Sequence, residues 1–164
     1  QIDQLKLILS GLEAAFGTRV YRSSEVTKEE IKELRHSAIS VQADIDMGIN
    51  YLIIHYFYPE FIIGEENLQQ GQIDRVGFLY TLILRDMNLQ RKLDLLKKLN
   101  HHYQIDPTIF SLITEASTIR NDLAHPLDEN VKKYLTKGAL QKSYFTLVKT
   151  ISDFRAAFEQ AKNK

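Results

Sequence analysis

Arg120, Asn121 and His125 stand together in the run Arg120-Asn121-Asp122-Leu123-Ala124-His125. An imidazole titrates near neutral pH and can take up or return a proton, whereas a guanidinium keeps its charge and presents planar donors that match a phosphate. The two groups together suit cleavage of a phosphodiester by a neighbouring hydroxyl. One moves the proton and the other offsets the charge that builds on the phosphorus oxygens, and neither needs a metal. Asn121 precedes His125 by one helical turn and so shares its side of a helix, where it can orient the imidazole or donate to a phosphate oxygen. Asp122 points elsewhere on an ideal helix and reads as a supporting polar residue. Each residue has a plainer reading when taken alone. A buried arginine often bridges helices, and a histidine at a helix C-terminus interacts favourably with the helix dipole.

The elements that must hold these residues are helices. Apolar residues recur at helical spacing along nearly the whole chain, and no stretch alternates with the period of two that a strand requires. Leu5 to Phe16 forms a short amphipathic pattern closed by Gly17 and a polar connection, so we expect residues 1–26 to be an N-terminal helix and linker. Residues 27–164 then form the bundle. Thr27 and Glu30 make a capping box, behind which Ile31, Leu34, Ala38, Val41, Ile45, Ile49, Leu52 and Tyr56 form one stripe towards Pro59. A Gly- and Gln-containing segment from Gly64 to Gln72 separates this helix from Phe78, Leu79, Leu82 and Ile83. Asp86 to Asn88 marks a break before Leu89, Leu93, Leu96 and Leu99. Asp106 before Pro107 is a helix start, and His125-Pro126 a stop. A short turn is expected near Val131 to Leu135, followed by a last helix with Leu140, Tyr144, Leu147, Ile151, Phe154 and Phe158 on one face. The fold class is all-α, a single-domain bundle of about five helices.

On the helix from Pro107, Leu112, Ile113, Ala116, Ile119 and Leu123 form the apolar face, and Arg120 falls inside it. A charge there must snorkel, find a partner or face an opening. The same construction puts Gln42 in the stripe of the long helix and Asp46 on its border, and these two are the candidate partners for Arg120. Five residues separate Arg120 from His125, which on a regular helix turns them about 140° apart. Convergence therefore needs either a loosened helix end, since Pro126 disfavours α conformation at His125, or a symmetric dimer in which one copy completes the site of the other.

The six-residue run resembles the Arg-x4-6-His motif of the HEPN superfamily. The preceding Lys92-Leu93-Asp94-Leu95-Leu96-Lys97-Lys98-Leu99, a spacer, and a helix ending in Arg-Asn-x-x-Ala-His are also similar to the layout of such domains, over roughly Ala38 to His125. The resemblance implies a HEPN-like helical bundle that forms a homodimer. It also implies a metal-independent endoribonuclease acting as a toxin or antiviral defence effector, with RNA as substrate and an antitoxin or other protein as partner. Carried over by position, Arg120 and His125 would be the essential pair and Asn121 the polar residue that follows the arginine. Noncatalytic dimerisation or protein-interaction modules of the same superfamily are the alternative, with Arg120 and Asn121 tying helices together.

Composition narrows the field further. Twenty-one basic and twenty-one acidic residues cancel, so no global field draws in nucleic acid, and any RNA contact must be local. With no cysteine in the chain, disulfides, thiol catalysis and thiolate metal sites are excluded. The apolar runs are too short for a membrane span, and no signal-peptide pattern is present, so a cytoplasmic protein without membrane contact is expected. The chain opens on Gln1 rather than Met, which fits a piece of a longer protein. Glu33 and His36 have di-iron spacing, but that chemistry needs a second such pair and two further glutamates. His101-His102 lacks a third ligand. Lys92, Lys97, Lys98, Lys132, Lys133 and Lys137 read as ordinary polar faces. No cofactor and no metal are expected.

Overall fold

The computed structural model describes residues 26–59, 70–124 and 130–164. Over these residues the chain is helical, with five α-helices and no β-strand. The expected helix from Leu5 to Phe16 and its connection lie outside the described residues.

Helix α1 (Lys28–Phe57) begins at the capping box read from the sequence. The Glu30 amide donates to Thr27 Oγ1 at 3.2 Å, and the Thr27 amide donates to Glu30 Oε2 at 2.8 Å, satisfying two donors that a helix start leaves open. Lys137 Nζ adds hydrogen bonds of 2.6 and 2.8 Å to the same carboxylate. That lysine, followed by the Thr27 amide, holds the Glu30 carboxyl below its ordinary pKa, and the pair fixes the start of α1 against the start of the last helix.

Helix α2 (Gln70–Leu79) runs into a π-helical turn, Tyr80–Leu84, in which the Arg85 amide reaches Tyr80 O at 2.8 Å. The wider turn leaves Leu84 fully buried. The chain then breaks at 85–88, as the Asp86 to Asn88 segment predicts, and Asn88 caps helix α3 (Leu89–Tyr103) by accepting from the Arg91 amide at 2.9 Å. Helix α3 closes on Gln104, whose φ of 55° is left-handed. The Asn100 side chain brackets that turn, accepting from the Ile105 amide at 2.8 Å and donating to Ile105 O at 2.9 Å.

Helix α4 (Pro107–Ala124) starts as predicted. Asp106 Oδ1 accepts from the Thr108 amide at 2.8 Å, and this bond lowers the pKa of the carboxyl, while Pro107 loses nothing at a position where its amide would have had no partner. After a 3-10 turn at Val131–Tyr134, Thr136 caps helix α5 (Lys137–Ala161) by accepting from the Ala139 amide at 3.2 Å.

Helix α1 is the centre of the bundle and packs on α3, α4 and α5, while α4 also packs on α5. Its stripe is divided between two apolar clusters. Ile45, Ile49 and Leu52 meet Leu93, Leu96, Ile109 and Ile113 in one; Leu34 and Ala38 meet Ala116, Ile119, Leu123 and Leu147 in the other. Each buried Leu or Ile contributes about 1.5–3 kcal/mol relative to exposure. Gly48 allows the closest approach, since a Cβ there would stand 2.6 Å from Phe154 Cε1. Among the described residues no helix is long and apolar enough to cross a membrane.

Candidate functional site at the end of helix α4

The last turns of α4 carry the motif on one of the two cores. Ile119 and Leu123 point into the second cluster and are buried, while Arg120 between them is half-buried. Among the described residues its guanidinium does not bond to another helix. Arg120 Nη1 donates to Asn121 Oδ1 at 3.1 Å, and among the described residues it meets no carboxylate.

The partners expected for Arg120 are therefore corrected. Asp46 is held by Lys92, whose Nζ stands 2.8 Å from both carboxylate oxygens, and it accepts from Asn50 Nδ2 at 3.2 Å. Gln42 makes no bond to Arg120 either; its Oε1 is buried and has no hydrogen-bond partner among the described residues. The reason is the antiparallel course of α1 and α4. Arg35 Nη2 donates to Ala124 O at 3.4 Å, which sets the first half of α1 beside the end of α4. Asp46 is consequently next to the turn of Ile45 and Ile49, which packs on Ile109 and Ile113 rather than on the turn of Arg120.

Asp122 is bonded to the 3-10 turn. Its Oδ2 accepts from the Tyr134 hydroxyl at 2.8 Å and from Lys133 Nζ at 3.2 Å. Burial, then the hydrogen bond to Asp122, pushes the Tyr134 hydroxyl well above its ordinary pKa. The bond fastens the 3-10 turn to α4 directly beside Arg120 and Asn121. His125 lies outside the described residues. The structure thus brings Arg120 and Asn121 together, keeps Asp122 next to them in a supporting role, and places Gln42 and Asp46 elsewhere.

Lys92 is the polar residue whose setting the sequence reading missed. It is 3% exposed, not on a solvated face, and its ion pair with Asp46 joins α3 to α1. A signal was present. Lys92 precedes Leu96, Leu99 and Tyr103 at helical spacing, so it occupies a core position of its own helix. His101 Nδ1 is 3.0 Å from Lys98 O, and the His102 ring lies 4.8 Å from Tyr103 and 5.5 Å from Tyr56. His55 stacks on Tyr51 at 5.7 Å, its Nδ1 buried and without a hydrogen-bond partner among the described residues. Burial, then the nearby His102, keeps the His55 imidazole below its ordinary pKa. Among the described residues no three His, Asp or Glu side chains gather as metal ligands.

Comparison with protein-family models, with curated proteins and with solved structures finds no match to this chain.

Proposed function

We propose that this chain is a HEPN-type, metal-independent endoribonuclease acting through Arg120 and His125, of the kind used as a toxin or defence effector. The observation that carries this reading is the state of Arg120. A half-buried guanidinium on a core-facing stripe has no carboxylate to neutralise it among the described residues and bonds only its neighbour Asn121. An arginine kept for stability would bridge two helices or pair with an acid. This one keeps its charge for an incoming anion, and among the described residues the alternative in which Arg120 and Asn121 tie helices together has no interhelical bond to rest on.

In this reading the ribose 2′ oxygen attacks phosphorus as the bond to the 5′ oxygen breaks. His125 takes the 2′ proton, the departing 5′ oxygen takes a proton from water, Arg120 offsets charge on the nonbridging oxygens, and Asn121 positions the guanidinium it already accepts from. Asp122 and Tyr134 hold the helix end that presents the pair. Two copies associate in this reading, so the site sits at a cleft between them. The test is digestion of a mixed RNA pool, with chelator present, by wild type, Arg120→Ala and His125→Ala, folding being checked by circular dichroism. Cleavage by wild type and loss in both folded variants is expected. Inert wild type, or an Arg120→Ala protein that cleaves normally, rejects the reading.

A further inference from the structure

A second arginine stands close to Arg120, on the facing helix. Arg35 is half-buried on α1, and its Nη2 donates to Ala124 O at 3.4 Å. Ala124 follows Arg120 by four residues, one helical turn, so the two lie on the same side of α4, about 6 Å apart along its axis. Ala124 also immediately precedes His125 in the chain. Arg35 therefore reaches the carbonyl that leads into the histidine of the motif, one turn from its arginine.

The plainer role is a helix cap, since a cation beside the last carbonyls of a helix is favourable. A cap accounts for little of this guanidinium. At 3.4 Å the bond is longer than an ordinary N–H···O contact, and it engages one of five donors. Among the described residues the charge meets no carboxylate. Glu33 lies about 200° around α1 from Arg35, on the side of Tyr144, where burial and then the Glu33 charge raise the hydroxyl's pKa. Asp122 is held by Tyr134 and Lys133. Asp128 and Glu129 lie outside the described residues. Lys32 and Lys132, which border the same open groove as Arg35, have partners of their own. Two guanidiniums about one turn apart, without an acid for either among the described residues, raise each other's energy, and anions lying along them relieve both. An RNA strand carries phosphates in succession, and neighbouring ones span about the length of one helical turn.

We infer that Arg35 is a substrate-binding residue that holds the RNA phosphate next to the scissile one, while Arg120 meets the scissile phosphate itself. The inference rests on the reading of Arg120 and His125 as a ribonuclease site. Arg35 takes no part in proton transfer; it sets the register of the strand along α4.

Binding of a fluorescent, mixed-sequence 2′-O-methyl RNA, which has no free 2′ hydroxyl to attack, separates strand binding from cleavage. Anisotropy is titrated over a range of salt with wild type, Arg35→Gln and Arg35→Lys, folding being checked by circular dichroism. A glutamine can still donate to Ala124 O but carries no charge. Arg35→Gln should bind about tenfold more weakly, with a slope of log affinity against log salt shallower by about 0.7, as for one phosphate contact on a single strand. Arg35→Lys should keep the wild-type slope. On cleavable RNA, Arg35→Gln should raise KM with little change in kcat. Wild-type affinity and slope in Arg35→Gln overturn the inference and leave the nuclease reading standing, whereas a wild type that does not bind the RNA overturns the inference outright. If these binding effects appear but wild type cleaves no RNA, Arg35 stands as a phosphate contact and the nuclease reading falls alone. The same losses are expected in an Asp128→Asn/Glu129→Gln background; losses that vanish there assign Arg35 to those carboxylates and overturn the inference.

Discussion

The Tyr134 hydroxyl donates to Asp122 Oδ2 at 2.8 Å and, with the more exposed Lys133 Nζ at 3.2 Å, joins the 3-10 turn to the last turn of α4, beside Arg120. Tyr134 is buried and packs in the same cluster as Leu123 and Ile119. Removing the hydroxyl in Tyr134→Phe should cost about 0.5–1.5 kcal/mol, the net value of an ordinary hydrogen bond. Asp122→Ala should cost more, about 1–3 kcal/mol, because it leaves a buried hydroxyl without an acceptor. Urea denaturation followed by circular dichroism measures both, and the order of the two losses is the informative result.

The ion pair between Lys92 and Asp46 is asymmetric, with side-chain exposures of 4% and 34%. Loss of the buried partner's counter-charge should therefore matter far more than loss of the lysine itself. Asp46→Ala strands an ammonium in the core and is expected to cost about 3–5 kcal/mol. Lys92→Met keeps the aliphatic stem and leaves a carboxylate that reaches water, so a cost within about 1 kcal/mol is expected. Equal losses in the two variants would show that the pair acts through packing rather than charge.

His55 gives the fold a pH dependence on the acid side. Burial holds its pKa below the ordinary value of 6.5, so the unfolded chain binds its proton more readily than the folded one. The sign follows from linkage: stability is fully present above the unfolded pKa and falls as pH drops below it towards the lower folded value. Thermal unfolding should show Tm decreasing on acidification through that window, and His55→Phe, which cannot titrate and keeps a ring beside Tyr51, should flatten the decrease. A His55→Phe profile as steep as wild type would place the effect in other groups.

Much of the fold is legible before any coordinates. The capping box at Thr27, the Asp106-Pro107 start and the stripe from Ile31 to Tyr56 are local signals, and the helices they predict are present. The π turn at Tyr80–Leu84 leaves no comparable mark, because it depends on how α2 seats Leu84 against its neighbours. At the site, the burden on Arg120 follows from periodicity, but its partner does not. Whether Asp46 faces Arg120 or Lys92 is set by the offset of α1 against α3 and α4, a tertiary property absent from any single helix. Lys92 was within reach, since it stands in register with Leu96 and Leu99.

In the proposed reaction Arg120 and His125 assist attack by the RNA's own 2′ oxygen. The most direct measurement compares an all-ribose RNA with one carrying a single 2′-deoxy nucleotide at the mapped cleavage position, in the presence of chelator, with product ends read by mass spectrometry. A 2′,3′-cyclic phosphate end from the ribose substrate, no cleavage at the deoxy position, and no product with either Arg120→Ala or His125→Ala are expected. Cleavage at the deoxy position, or a wild-type protein inert towards both substrates, would contradict it.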